Sequence, residues 1–324
     1  MITACRSSGE TFEIKPGDSI PELGRDIVWI DMIDPQRAEE QMVEAFLGIE
    51  IPTREELKDI EPSSRLYMDG SAAFMTASLV WKADSDLPEL TDVAFILTGN
   101  TLLTVRYAEP RSFQLFRAAI HRIPGGCNSG AILAARLFET IIDRTAEILE
   151  QAVMKIDGLS LQVFAGKTRK RRPPHYLEDR LLDVAAHQRL VAKTRDSLMS
   201  LSRVMIFFNT VPAVQADKEI RGLCRTISRD IQSLSEHAAF ISGNINFLLD
   251  ASLGLIGVEQ NAIIKIFSIA SVVFLPPTLV ASIYGMNFDF MPELKWLYGY
   301  PSSLGLMILS AIIPFFFFRW KGWL

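Results

Sequence analysis

Within a long apolar stretch near the C-terminus, one set of side chains has the types and spacing to guide a hydrated cation. Asn261, Ile264, Ser268, Ser271, Leu275, Thr278 and Ser282 recur at alternating three and four residues, the period of a single helical stripe. Asn287 extends the stripe roughly one helical turn past Ser282. Phe267, Val272, Val273, Phe274, Leu279 and Val280 occupy the other faces. In a membrane, small polar residues on one stripe either let helices pack closely or line a wet path, and the spacing leaves both uses open. Asparagine presents a neutral carbonyl oxygen and an amide donor. A ring of such groups would hydrogen-bond the water around a cation without stripping it. That suits magnesium, which dehydrates reluctantly. A ring of bare carboxylates would bind the ion tightly and slow its release. Gly285 lets the chain leave the helix without a side-chain clash. Asp289 and Glu293 follow and would raise the local cation concentration.

The elements that must position these groups are two uncharged runs, residues 266–288 and 296–318. Each exceeds the ~20 residues that cross a bilayer as a helix. Two buried helices of a globular core are the alternative. Phe315-Phe316-Phe317-Phe318 beside Arg319, Trp320 and Lys321 favours a membrane border. Lys265 flanks the first run, and Arg319 and Lys321 end the second. The positive-inside rule therefore places both termini in the cytoplasm and the connecting loop outside. Trp296, Tyr298 and Tyr300 form an outer aromatic belt, with Trp320 and Trp323 the inner one. Two helices cannot surround a water path, so a pore requires several copies, each contributing its first helix. Pro276-Pro277 leaves carbonyls free around Val272 and Val273, a break tolerated where protein or water re-satisfies the backbone. A dication entering down ~100 mV gains about 4.6 kcal/mol, so inward flow needs no ATPase motif.

The chain has 324 residues, a net charge of −5 and 49% hydrophobic residues, a length that suggests two regions rather than one core. Mild acidity argues against a nucleic-acid partner. Arg6, Glu10, Glu13, Lys15 and Asp18 near the start exclude an apolar signal block. Cys5, Cys127 and Cys224 are far apart in sequence with no CxxC, against structural zinc and a disulfide framework. His121, His175, His187 and His237 are isolated, with no nucleophile–base spacing, and neither GxGxxG nor a Walker motif occurs, so the chain is not expected to be an enzyme.

Residues 1–130 are expected to form a mixed α/β domain with a regulatory or assembly role. Strands are expected at 26–32, 72–82, 92–97 and 101–107, the last two paired through Gly99-Asn100. Asp34-Pro35 reads as a helix start and Gly48 as its stop. Thr53 and Glu56 form a capping-box pattern. Residues 131–214 form an antiparallel helical hairpin. Its helices span 131–165 and 176–210, and its tip is Gly166, the basic residues 167–172, and Pro173-Pro174. Glu139, Asp143, Glu147 and Glu150 share one face of its first helix, and Arg189 and Lys193 are expected opposite Glu147 and Glu150. That face is either a solvated, salt-bridged surface or one that attracts divalent cations. The basic tip is either solvated or in contact with anionic headgroups. Pro212 breaks the pattern. From Gln215 a stalk, residues 215–265, continues into the first membrane segment, 266–288, as one helix roughly 100 Å long. A loop at 289–295, a second membrane segment at 296–318 and a basic tail at 319–324 complete the expected fold: an α+β domain, long helices and two C-terminal transmembrane helices.

Tyr284-Gly285-Met286-Asn287, followed by Met291-Pro292-Glu293-Leu294, resembles the CorA family of magnesium transport proteins. The resemblance is close over 258–324, including residues 273–282 and Trp323-Leu324, and looser before that, where residues 53–65 look like the bacterial pattern. It implies a funnel-shaped homopentamer in the bacterial inner membrane, with a cytoplasmic α/β domain, "willow" helices, a stalk, and first membrane helices lining the pore. The motif asparagine, here Asn287, would recognise hydrated magnesium, with cobalt and nickel also passing. The family's pore positions fall on Asn261, Ile264, Leu275, Thr278, Ser282 and Asn287, with Leu275 a hydrophobic constriction. Magnesium is then both the transported ion and the gating ligand. Where the family's best-known regulatory pair uses a stalk aspartate, this chain has Thr226. Asp230, Glu236 and Asp250 are nearby stalk acids, and no regulatory site is assigned. A zinc transporter of the related branch and a membrane-anchored sensor without transport are the alternatives. Zinc relatives usually depart from the Tyr284–Asn287 motif, and a sensor leaves the polar stripe unexplained.

Overall fold

Continuous burial over residues 27–32 makes that segment an interior strand, because both of its faces are covered. The computed structural model describes residues 1–14, 26–58, 61, 65–85, 87–122, 127–164, 176–287 and 291–322. Lys15, Asp18, the hairpin tip at 166–174, His175, Phe288, Asp289, Trp323 and Leu324 lie outside the described residues. Strands β1 (Ile2–Arg6), β2 (Thr11–Ile14), β3 (Ile27–Ile33), β4 (Leu66–Asp69), β5 (Ala72–Trp81), β6 (Glu89–Thr98) and β7 (Thr101–Arg106) form one sheet in the order β2-β1-β3-β7-β6-β5-β4. β3 and β7 pair in parallel and the other neighbours antiparallel. β6 and β7 meet as the expected hairpin, Thr98 opposite Thr101, with Gly99 at φ 55° in the turn.

The helices are α1 (Arg37–Leu47), α2 (Arg111–Ala119), α3 (Gly130–Phe164), α4 (Tyr176–Phe208), α5 (Pro212–Ala216), α6 (Lys218–Tyr284) and α7 (Gly299–Trp320). Gly48 stops α1 in the left-handed conformation, as expected. Its start differs. Asp34 sits at φ 45° and its N–H donates to the Arg106 carbonyl at 2.8 Å, so it prolongs the β3–β7 pairing and does not cap the helix. Gln36 is the N-cap, and the Glu39 carboxylate accepts its backbone N–H at 2.8 Å. The Thr53–Glu56 box forms, with Thr53 N–H and hydroxyl donating to Glu56 at 2.7 and 2.9 Å, but it caps only the short 3-10 turn Glu56–Lys58. The long helix does not begin at Gln215. Asp217 is extended, and its carboxylate accepts the Glu219 and Ile220 N–H groups at 2.7 and 3.2 Å, which starts α6 at Lys218.

Two apolar cores flank the sheet. One contains Ile30, Met32, Val43, Phe74, Ile96 and Val105. The other joins Trp29, Phe95 and Leu97 to Phe113, Phe138, Leu198 and Phe208 of the helices. The expected boundary at 130 is therefore not a break in packing. Gly130 donates to the Asn100 carbonyl at 2.8 Å, and a Cβ there would meet Leu102 N at 2.4 Å, so only glycine can bring α3 onto the hairpin turn. The compact units are Met1–Leu249 and Asp250–Leu324, with α6 running through the division. Cys5, Cys127 and Cys224 are free and buried. Burial, with Cys127 beside it, pushes the Cys5 thiol up to about 12, so it stays protonated.

A charged network crosses the sheet. Arg106, fully buried, donates through Nε and Nη2 to both Asp31 oxygens at 3.1 and 2.8 Å. Thr104 donates to Asp31 at 2.8 Å and accepts from Trp29 Nε1 at 3.0 Å. Replacing one partner leaves an uncompensated buried charge. Arg106→Ala should cost roughly 3–5 kcal/mol in the soluble unit, read by urea unfolding, and a loss under ~1 kcal/mol would contradict this account.

Candidate functional site

Every stripe residue lies on α6, and every one is exposed: Asn261, Ile264, Ser268, Ser271, Leu275, Thr278 and Ser282. The covered positions beyond residue 258 follow a different line. They are Ile269, Ala270, Val273, Pro276, Pro277, Val280 and Tyr284, again at three- and four-residue steps. At about 100° per residue the two lines lie on opposite sides of the helix. α7 has one matching seam, Ser303, Met307, Ser310, Ala311, Pro314 and Phe318, much of it small residues that allow close approach. The partly covered residues thus follow one line on each helix, and on α6 the polar stripe lies on the side opposite that line, although at its start Asn261, Ile264 and Ser268 share a groove with Phe318. Phe267, Phe274 and Leu279 are exposed on the flanks, as lipid-facing residues are; of the apolar faces expected from sequence, Val273 and Val280 belong to the seam.

Two hydroxyls on the stripe are oriented. Ser271 donates to the Phe267 carbonyl at 2.9 Å and Thr278 to the Phe274 carbonyl at 2.8 Å. With its proton committed to its own helix, each oxygen offers lone pairs outward. The water shell of a cation points O–H outward, so acceptors are the groups it needs. Helix α6 continues through Pro276-Pro277 to Tyr284. Gly285 donates to the Ala281 carbonyl at 2.9 Å, and a Cβ at Gly285 would stand 3.1 Å from that oxygen. Glycine therefore allows a tight closure that directs Met286 and Asn287 off the helix end. Asn287 is exposed and outside any helix, and among the described residues its side chain makes no hydrogen bond. Glu293 is exposed on the 3-10 turn Pro292–Lys295. α7 begins at Gly299, three positions later than residue 296, and only glycine fits there, since a Cβ would fall 2.1 Å from the Glu293 carbonyl oxygen. Trp296 and Tyr298 pack edge to face at 6.1 Å and are exposed beside Tyr300, at one end of the apolar spans. Both α6 and α7 contain windows long and apolar enough to cross a membrane, with no residue of those windows buried.

In the first unit the acidic face of α3 does not pair with Arg189 and Lys193. Its partners are closer along its own helix: Arg136 holds Glu139 at 3.0 Å, and Arg144 holds Glu147 at 2.9 Å and Asp84 at 3.1 Å. Asp143 has Asp230 of α6 as a neighbour, a juxtaposition not foreseen from sequence. Asp143 is exposed as a residue, but partial desolvation of its carboxyl first, then Glu139, Asp230 and Glu147, raise its pKa from the ordinary value. Thr226, Glu236 and Asp250 are exposed, and among the described residues no group of three or more His, Cys, Asp or Glu could hold a metal ion.

These features have counterparts in known proteins. The model of the CorA-like Mg2+ transporter protein family matches residues 24–320, and the chain belongs to that family. The magnesium transport protein CorA of Pasteurella multocida is 37% identical over 302 residues, 92% of each chain. That of Pectobacterium atrosepticum is 37% identical over 300 residues, again 92% of each. The complete CorA magnesium transporter structure from Methanocaldococcus jannaschii shares the fold, with a TM-score of 0.78 at 18% identity, covering 100% of this chain and 99% of that one.

A folded-state carboxyl with a raised pKa favours the fold only while protonated, and that contribution is lost as pH rises through the raised value. Asp143→Asn should therefore raise the melting temperature at pH 7. The gain should shrink on acidification and disappear below about pH 4. An equal or lower melting temperature at pH 7 would show that the like-charge contact is unimportant.

Proposed function

We propose that this chain is a magnesium channel of the bacterial inner membrane, with both termini cytoplasmic and the 289–295 loop outside. The observation that carries the reading is the placement of the polar stripe opposite the α6–α7 seam. A face with outward-pointing acceptors cannot be left against lipid, and one chain cannot enclose it. Copies of the chain, five by analogy with the family, would turn Asn261, Ile264, Ser268, Ser271, Leu275, Thr278 and Ser282 toward a common axis. α7 would then lie outside α6.

In that assembly the Asn287 amides would ring the outer mouth, supported by the Tyr284-Gly285-Met286 closure, and accept hydrogen bonds from the ion's own water shell. Asp289 and Glu293 would concentrate dications outside it. Leu275 would be the constriction, closing by excluding water. Influx would be driven by membrane potential, and cobalt and nickel, which also hold water shells, would pass. Magnesium would also be the ligand that favours the closed state, at residues that remain unassigned. The relatives named magnesium transport proteins support magnesium over the zinc alternative, and the free polar stripe supports transport over a sensor role.

Uptake in a strain lacking its own magnesium uptake tests this. The wild-type chain should restore magnesium entry, and Asn287→Ala should lower it about tenfold, the loss of one or two hydrogen bonds to the hydrated ion. Normal entry through Asn287→Ala, with the protein present in the membrane, would remove Asn287 from the mouth.

A further inference from the structure

We propose that the first unit binds an aliphatic polyamine in a cavity at the β4 end of the sheet. The cavity has a volume of about 430 Å³, within the ~300–1,000 Å³ range of small-molecule sites. Leu57, Phe74, Ala94 and Ile96, all buried, give it an apolar floor. Glu50, Glu56 and Asp69 line it as well, and all three are exposed, so their carboxylates stand at the rim. Among the described residues that line it there is no lysine, arginine or histidine.

Two hydroxyls in this cavity await a partner. Thr76 is only 8% exposed, and it lies opposite Ala94 while Phe74 lies opposite Ile96, so its side chain shares the face that carries the floor. Among the described residues its hydroxyl makes no hydrogen bond, which is costly for a buried group. Tyr67 stacks on Phe74 with ring centroids 4.7 Å apart, and its hydroxyl is likewise without a partner among the described residues. That hydroxyl senses all three carboxylates: burial first, then Glu56, Asp69 and Glu50 raise its pKa. Glu56 already accepts from the Thr53 N–H and hydroxyl at 2.7 and 2.9 Å. Glu50 and Asp69 make no ion pair or hydrogen bond among the described residues.

These surroundings identify the occupant. An anion would meet three carboxylates. No group of three or more acidic, histidine or cysteine residues could hold a metal ion among the described residues, and an apolar floor gives a metal's water shell nothing to bond. A neutral apolar molecule would leave the Thr76 hydroxyl unanswered. A polyamine has both parts that the cavity calls for. Its methylenes cover the floor, and its ammonium groups, protonated at pH 7 as lysine is, donate to the rim carboxylates and to Thr76. All the lining residues belong to the first unit, so the site goes beyond the channel reading and does not depend on it.

Isothermal titration calorimetry of the purified full-length oligomer in detergent at pH 7 offers the test, with spermidine, 1,4-diaminobutane, butylamine and magnesium chloride as titrants. Spermidine should bind once per chain, and each charge removed, through diaminobutane to butylamine, should weaken binding about threefold. Magnesium chloride at the same concentration should displace less than half of the spermidine. Asp69→Asn should weaken spermidine binding about threefold, and Thr76→Val, which keeps the side-chain shape, about fivefold. Glu10→Gln, between β1 and β2 at the other edge of the sheet, should leave it unchanged. Melting temperatures reveal a variant that fails to fold, and the exposed Asp69→Asn then carries the comparison. Absence of spermidine binding, or equal affinity for spermidine and butylamine, would overturn the proposal. So would undiminished binding in folded Asp69→Asn and Thr76→Val, displacement by magnesium, or binding lost in Asn287→Ala instead, which would put the amine in the pore. The readout is binding and not flux, so failure here leaves the channel reading standing, and failure of magnesium uptake leaves this site standing.

Discussion

The second unit depends on one constraint: two helices can cover each other along a single seam only. Inside a bilayer the backbone is satisfied within the helix, apart from the carbonyls that Pro276-Pro277 leave without a donor. What remains is the fate of the other faces. On α6 the flanks carry Phe267, Phe274 and Leu279, which lipid accommodates. The face opposite the seam carries hydroxyls and amides, which lipid does not. The small residues Ala270, Ser310 and Ala311 and the Pro276-Pro277 pair are partly covered and lie on one side of each helix. In the proposed assembly the opposite side leaves the stripe for like copies and a water path.

The first unit meets a different constraint. Its sheet is covered on both faces, so a charge on an interior strand must be neutralised in place. Asp31 on β3 and Arg106 on β7 do this across the one parallel pair of the sheet, with Thr104 and Trp29 completing the hydrogen bonding. The helices of the hairpin are not an appendage to this domain. Phe138 of α3 packs on Phe95 of the sheet and on Phe208 of α4, and Gly130 fixes the start of α3.

Legibility in the sequence followed the strength of the local pattern. The stripe, the two apolar spans and the Gly99-Asn100 hairpin were readable because each has a period or a turn chemistry that few alternatives share. The edge strands β2 and β4, and β1 beside β2, have no clear signal in the sequence. They are four or five residues long, and β4 ends in the exposed Met68-Asp69, so no alternation develops. Helix α2 begins after Pro110 with no side-chain cap. At Asp34 the local rule of an N-cap before proline lost to tertiary pairing with the end of β7. The electrostatic influence of Asp230 on Asp143 is a product of how α3 and α6 pack, which no local window contains. Asn287 is legible as a motif, but its role is a property of an assembly.

The central claim is that the stripe faces water in the assembled protein while the seam does not. Single cysteines placed along residues 261–287 of membrane-embedded protein, probed with a water-soluble thiol reagent, measure this directly, since the native Cys5, Cys127 and Cys224 are buried. The account predicts strong labelling at 268, 271, 278, 282 and 287 and weak labelling at 270, 273, 277 and 280. Labelling that peaks on the second set, or that shows no helical period, would contradict it.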